Sequence, residues 1–356
     1  MRSIILLSAL ALMATAQAQT AQQVTIGDNM NYGITYSLPQ TAVSLTVQAH
    51  CTQVKAGPFA PYAEKYLGLK DVPQVDETLY GVDQITLTPV ARADSSRTYH
   101  IQFSEKGALP TFYLTEAGTL WAINQAPEQP SQPVAAAPAA SAKLTLKPSD
   151  VMTSEMLKAG SKAKQAELCA EEIFSIRESR SELIRGEADN VPNDGKQLQL
   201  MLDNLTAQEE ALLSLFVGTT TTTPLMRTFD YVPVAEVERA LAFRFSADLG
   251  FVDADDLAGA PYYIAITLLE DNRMSPMDLK ALKKLEKGIA FCVPGKAHVR
   301  LFTASQTLVE GDLQMAQFGH VEQLPQGQFT DKKRPSAASF APTTGSLHLF
   351  EQTPQQ

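Results

Sequence analysis

The clearest structural signal in this chain lies in the residues Gly33-Ile34-Thr35-Tyr36-Ser37-Leu38-Pro39-Gln40-Thr41-Ala42-Val43-Ser44-Leu45-Thr46-Val47. Large apolar residues alternate with small polar ones on both sides of the proline, which is the pattern of strands with one buried face. The same alternation returns at Ile85-Thr86-Leu87. We therefore predict that residues 19–125 form a β-rich lobe of antiparallel strands.

One short helix is expected inside this lobe, over residues 61–67. Pro61 stands at its first turn and Gly68 follows its last residue, which are the usual start and stop signals. Tyr62 and Tyr66 are four residues apart and therefore lie on one side of the helix. Because tyrosine is favoured at protein interfaces, these two residues are our candidate partner-binding site. The alternative is that the helix closes one end of the lobe.

The periodicity changes in the middle of the chain. Residues 126–142 are rich in Pro, Ala, Gln and Ser and predict a linker. Residues 143–217 then repeat apolar side chains at helical spacing on both sides of the turn Pro192-Asn193-Asp194-Gly195. Two helices joined by such a turn predict a helical hairpin.

Alternating strands return over residues 218–351, and residues 352–356 are expected to form a frayed tail. This second β segment repeats parts of the first in the same order. Gly288-Ile289-Ala290-Phe291-Cys292-Val293-Pro294 matches the opening stretch in its Gly, Ile, aromatic, aliphatic and Pro positions. We therefore predict an α+β protein with two related β-rich lobes, each an antiparallel sandwich or barrel-like, flanking the helical hairpin.

The duplication makes positional predictions. Pro39 and Pro294 are expected at strand ends, since proline cannot donate to a central ladder. Gly118 and Gly345 are expected in hairpin turns that need a positive φ. The aromatic residues of the two repeats, Tyr36 and Phe291, are expected to face the core of their own lobes.

The N-terminus has the layout of a cleaved signal peptide over residues 1–18. Arg2 precedes an apolar stretch, and Ala16-Gln17-Ala18 places small residues at the cleavage positions. No later segment is apolar for the roughly 20 residues that a membrane-spanning helix needs. We therefore expect a protein exported to the periplasm or cell envelope, with no transmembrane helix in the mature chain.

The overall composition is that of a globular protein, with 44% hydrophobic and 19% charged residues. The net charge of −10 repels phosphate backbones, and no basic patch interleaved with aromatic residues is present, so nucleic acid is not an expected partner.

Four strings resemble an uncharacterised domain-of-unknown-function family of exported proteins from anaerobic Gram-negative gut and mouth bacteria. They are the residues GPFAPYAEKYLG at 57–68, IRESR at 176–180, VDADDLAG at 252–259 and QFG at 317–319. The resemblance covers nearly the whole mature chain and implies a cell-envelope location. It carries no activity, cofactor or catalytic residue.

The signatures of common enzymes are missing from the sequence: HExxH, GxSxG, Walker and Rossmann strings do not occur. Asp253, Asp255 and Asp256 lack the spacing of a calcium loop and predict a polar turn. The three cysteines, at positions 51, 169 and 292, have no CxxC spacing and are compatible with one bridge or with three buried thiols. We assign no catalytic residue, no metal ligand and no cofactor.

Two functions follow as hypotheses. The leading one is a non-enzymatic binding or scaffolding module for an envelope protein or glycan. The alternative is a hydrolase of envelope or dietary polymers that uses carboxylates in a cleft between the lobes, at a spacing of roughly 5–10 Å.

Overall fold

The computed structural model describes residues 22–24, 33–102, 109–127, 144–189, 192, 194–273 and 288–352. The predicted signal peptide at 1–18, residues 128–142 of the predicted linker and residues 353–356 of the predicted tail lie outside this part of the chain.

The described residues include thirteen strands, five α-helices and two short 3-10 helices. The helices are α1 (Ala63–Leu67), α2 (Pro148–Val151), α3 (Ser154–Lys158), α4 (Lys162–Arg185) and α5 (Gly195–Val217). The strands are β1 (Gln22–Val24), β2 (Gly33–Lys55), β3 (Glu77–Gln102), β4 (Phe112–Leu114), β5 (Leu120–Ile123), β6 (Thr219–Tyr231), β7 (Val237–Ser246), β8 (Gly250–Val252), β9 (Ala260–Glu270), β10 (Gly288–Phe302), β11 (Thr307–Pro325), β12 (Ser336–Phe340) and β13 (Leu347–Gln352).

The strands form three antiparallel sheets, which agrees with the predicted α+β class. Sheet 1 has the order β1-β4-β5-β12-β13, sheet 2 the order β3-β2-β6, and sheet 3 the order β11-β10-β9-β7-β8. Sheets 2 and 3 enclose one core between them, with Val43, Leu45 and Val47 of β2 packed against residues of β9 and β10 such as Ile264 and Val299.

The two β segments share a core instead of each enclosing its own. Tyr36 and Phe291 belong to a single buried cluster, and the Tyr36 hydroxyl donates to the carbonyl of Ala290 at 2.9 Å. Sheet 1 is built from both segments, since β5 pairs with β12. The expectation that each aromatic faces a separate lobe was therefore wrong. Period-two alternation shows which side chains are buried but not which strand they meet.

The two prolines lie inside long strands and not at strand ends, which corrects our prediction. Pro39 is part of β2 and Pro294 is part of β10. Each sits at a break in the pairing register, between Ser37 and Pro39 in one hairpin and between Val293 and Gly295 in the other. A bulge tolerates proline because the ladder is already interrupted there.

The two long hairpins have the same irregularity at this point. In the first, the residues opposite Ser37 and Pro39 are Thr98 and Ala93, so β3 carries four unpaired residues. In the second, β11 likewise carries four unpaired residues, 316–319, opposite Pro294. The pairing is therefore interrupted beside the proline in both hairpins.

The short hairpins of sheet 1 contain the predicted turn glycines. Gly118 and Gly345 have φ angles of 77° and 70°, as expected. The carbonyl of Gly118 accepts the N–H of Ser37 at 3.1 Å, and that of Gly345 accepts the N–H of Cys292 at 3.0 Å. Ser37 and Cys292 occupy the same position of the repeated string, so each short hairpin docks on the equivalent residue of a long one.

The helices form their own apolar cluster beside the sheets. Side chains of α4 at helical spacing, including Cys169, Ile173 and Ile176, pack with Leu212 and Phe216 of α5. The hydroxyl of Ser161 caps α4 and the carboxylate of Asp194 caps α5, and α4 ends at Gly186 with a φ of 73°.

Candidate binding surface

The predicted partner-binding tyrosines lie on α1, next to the helical cluster. Tyr62 and Tyr66 are both partly buried against it, and their ring centroids are 6.2 Å apart. The ammonium group of Lys65 lies 4.8 Å from the centroid of the Tyr66 ring. The backbone N–H of Phe59 also donates to the carbonyl of Leu215, which fixes this segment to α5. The tyrosines therefore contribute to packing and still present one side to solvent.

The aspartate-rich string forms the predicted polar turn. The N–H of Asp256 donates to the carbonyl of Asp253 at 3.1 Å, and the carboxylate of Asp256 accepts the N–H of Ala258 at 2.9 Å. Within the described ranges, no group of three His, Cys, Asp or Glu side chains has the arrangement of a metal site.

All three cysteines are buried free thiols. Burial raises the pKa of Cys169 and that of Cys292 to about 11. At neutral pH these two are protonated and poorly reactive, since the thiolate is the nucleophile. Of the two arrangements left open by the sequence, the structure shows three unpaired thiols.

The most distinctive surface feature is on the outer face of sheet 3. Strand β10 directs Ala297, Val299 and Leu301 into the core, so the alternate residues Arg300 and Phe302 point away from it. On the neighbouring strand β9, Ile264 and Ile266 are buried in the same core, which places Tyr263 on the outer face. Because Tyr263 pairs directly with Phe302, the two rings lie side by side.

An arginine lies over each of these rings. The centroids of Tyr263 and Phe302 are 5.8 Å apart, with an interplanar angle of 35°. The guanidinium carbon of Arg239, from β7, lies 3.8 Å from the Tyr263 centroid, and that of Arg300 lies 4.9 Å from the Phe302 centroid. We call these four residues the arginine–aromatic platform.

The two platform arginines differ from most others in the described part of the chain. Arg92, Arg97 and Arg177 each donate to a carboxylate. Arg239 and Arg300 are exposed, and within the described residues neither has a carboxylate within 4.0 Å. A guanidinium that contacts a ring through its face keeps its N–H edges available for bidentate binding of an anion.

Polar side chains continue the same face beside the platform. His298 lies next to Arg300 along this face of β10, and its Nδ1 is 2.8 Å from a carboxylate oxygen of Asp312. The other oxygen of Asp312 is 2.9 Å from the ammonium group of Lys296. Sequence reasoning missed this surface, although the alternation of Lys296, His298, Arg300 and Phe302 with apolar residues was its visible signal.

The fold defines a β-rich α+β protein in which antiparallel sheets carry a packed pair of long helices. Residues 32–348 match the family described as a domain of unknown function (DUF4831), and the chain belongs to this family. This confirms the resemblance to an uncharacterised domain-of-unknown-function family. No curated protein and no solved structure matches the chain. In the part of the chain that the structure describes, no helix is long and apolar enough to cross a membrane.

Proposed function

We propose that this protein is an exported, non-enzymatic binding module whose two related β segments arose by duplication. Matched bulges beside Pro39 and Pro294 support the duplication, together with the equivalent hydrogen bonds from Ser37 and Cys292. The three-part N-terminal string supports export. N-terminal sequencing of the envelope fraction is expected to begin near Gln19, and a retained Met1 would contradict export.

The ligand that we propose is an acidic glycan bound at the arginine–aromatic platform. The observation that carries this proposal is the pair of outward-facing rings, Tyr263 and Phe302, each with an arginine that has no carboxylate partner within the described residues. The guanidinium edges suit the carboxylates of an acidic glycan, and the stacked arginine–ring pairs offer its sugar rings a surface that is partly apolar and partly cationic.

The hydrolase alternative receives less support from the described carboxylates. Burial opposes ionisation of Asp94 and Asp230, but hydrogen bonds from Ser96 and Arg97 lower the pKa of Asp94, and those from Ser44 and Arg92 lower the pKa of Asp230. Every shifted carboxyl pKa within the described residues is shifted downward. A general acid at neutral pH needs the opposite shift.

Calorimetric titration with oligogalacturonate, and with the same oligomer after reduction of its carboxylates, tests the ligand. We expect binding of the acidic oligomer that weakens as salt is added, because the guanidinium groups are exposed. Arg300→Ala and Tyr263→Ala should each weaken it at least about tenfold, equivalent to about 1.4 kcal/mol. Arg227→Ala is the matched control, since Arg227 also lies over an aromatic ring, 5.1 Å from the Phe229 centroid, but outside the platform.

Equal binding of the reduced oligomer would contradict the role of the arginines. Loss of binding in Arg227→Ala to the same extent as in Arg300→Ala would contradict the location. Binding of acidic peptides in place of the oligomer would support the platform as the binding site and contradict an acidic glycan as its ligand.

Tyr62 and Tyr66 are proposed as a second contact, for an envelope protein. Capture of a partner from the native envelope by the unaltered protein, and its loss with Tyr66→Ala, would support this contact. If Tyr62→Ala and Tyr66→Ala both still captured the partner, the two tyrosines would contribute only to packing.

A further inference from the structure

Strand β6 is an unusually regular edge strand. All thirteen of its residues pair with β2, from Thr219 opposite Lys55 to Tyr231 opposite Val43, with no register shift. It is the last strand of sheet 2, and within the described residues its outer edge has no backbone hydrogen-bond partner. An extended strand with one free edge presents a row of N–H and C=O groups that another strand can bind.

The other long edge strands of sheets 2 and 3 have the protection that natural edges usually carry. Strand β3 has the charged residues Asp83, Arg92 and Asp94 and a four-residue bulge. Strand β11 has charged residues at positions 310, 312 and 322 and the equivalent bulge. Such charges and bulges prevent edge-to-edge pairing.

Strand β6 has no charge and no bulge over Thr219–Thr223. No residue from Thr219 to Met226 is charged, and Thr219–Thr223 is a run of five exposed threonines. Threonine has a high β propensity, so the run favours an extended strand. Pro224 ends the run, because it has no N–H to donate.

We propose that the edge of β6 binds the same edge of a second copy of this chain, antiparallel and centred on Thr221. With Thr221 on the two-fold axis, Thr219 faces Thr223 and Thr220 faces Thr222, so every pair is Thr–Thr. Cross-strand threonine pairs stabilise a sheet through hydrogen bonds between their hydroxyl groups. Such an interface is isologous, as in most homodimers.

Charge favours this edge as the place where two copies meet. Each chain has a net charge of −10, so most approaches bring like charges together. The threonine run has no charge, and pairing through it would join two copies of sheet 2 into one six-stranded sheet. This inference is independent of the proposed ligand, since the platform lies on sheet 3.

Sedimentation equilibrium of the full chain from about 1 to 100 µM tests the proposal, since dimerisation depends on concentration. We expect the mass to rise to that of a dimer. Thr221→Lys would place two ammonium groups opposite each other at the axis and should weaken the dimer at least about tenfold. Gln53→Lys is the matched control, because Gln53 is exposed and lies directly opposite Thr221 on the inner strand β2.

A monomer at every concentration would overturn the proposal, and so would a dimer that Thr221→Lys leaves unchanged. Hydrogen exchange of the unaltered protein gives a second measurement that does not depend on a variant folding. Exchange of the amides of residues 219–223 should slow as the concentration rises. Exchange that is independent of concentration would also overturn the proposal.

Discussion

At the scale of single residues, close backbone approach at the β11 bulge explains why the string Gln317-Phe318-Gly319 is distinctive. A Cβ atom on Gly319 would collide with the backbone carbonyl oxygen of Val293. A Cβ atom on Gly311, in the same strand, would meet nothing within 4 Å. The second long hairpin therefore requires glycine at position 319 but can accommodate a side chain at position 311.

We predict that Gly319→Ala lowers the free energy of unfolding by more than about 2 kcal/mol, because the backbone must move to relieve the overlap. Gly311→Ala should change it by less than about 1 kcal/mol and can stabilise, since alanine restricts the unfolded chain. Urea unfolding of both variants measures the difference. Equal effects would contradict the close approach.

Gln317 of the same bulge supplies hydrogen bonds that a neighbouring strand would otherwise make. Beyond the end of β6, the N–H of Thr41 donates to the Gln317 side-chain oxygen at 3.0 Å. The Gln317 side-chain nitrogen donates to the carbonyls of Thr41 and Pro233, at 2.9 and 3.0 Å. One amide side chain thereby satisfies both backbone groups of a fully buried residue.

Gln317→Leu should therefore lower the free energy of unfolding by about 2–4 kcal/mol, since buried backbone groups lose their partners. Gln314→Leu, at an exposed position of the same strand, is the control and should have little effect. Urea unfolding midpoints give the comparison, and similar losses in both variants would show that the hydrogen bonds contribute little.

At the scale of elements, one buried carboxylate joins the two long helices. Glu209 of α5 is 8% exposed, and its two oxygens lie 2.5 Å from Arg177 Nε and 2.6 Å from Arg180 Nη1, both on α4. Mixed charges along a helix face usually indicate a solvated surface. Here, by contrast, the acidic side chain that pairs with both arginines lies in the contact between the two helices.

Glu209→Gln should lower the free energy of unfolding by about 1–3 kcal/mol, because a neutral amide cannot balance two guanidinium groups. Glu178→Gln removes the same charge from an exposed position of α4 and should have almost no effect. Thermal unfolding of the two variants side by side measures this. Similar shifts of the two unfolding temperatures would indicate that the stabilisation comes from the net charge and not from this buried ion pair.

At the scale of the whole molecule, the shared core should make the two β segments unfold together. Trp121 is 4% exposed and lies in β5, which pairs with β12 of the other segment. We predict that its fluorescence and the far-ultraviolet circular dichroism change in one coincident urea transition. Two separated transitions would indicate that the segments are independent units.

The strand pattern, the turn glycines and the long helices could be predicted from the amino-acid sequence. These features follow from local rules: alternation marks a buried face, positive φ favours glycine, and helical spacing marks a packed stripe. Gly118, Gly345 and the helix at Ala63–Leu67 were found in this way. The family was also recognisable from short strings of residues.

The pairing of distant strands could not be predicted in this way, because it depends on contacts between residues far apart in the sequence. Pro39 and Pro294 were misplaced because a bulge depends on the partner strand, which lies far away in sequence. The platform of Tyr263 and Phe302 was missed for the same reason, since its rings come from separate strands set side by side by register. Alternation fixes the face on which a side chain lies, whereas register across the sheet fixes its neighbours.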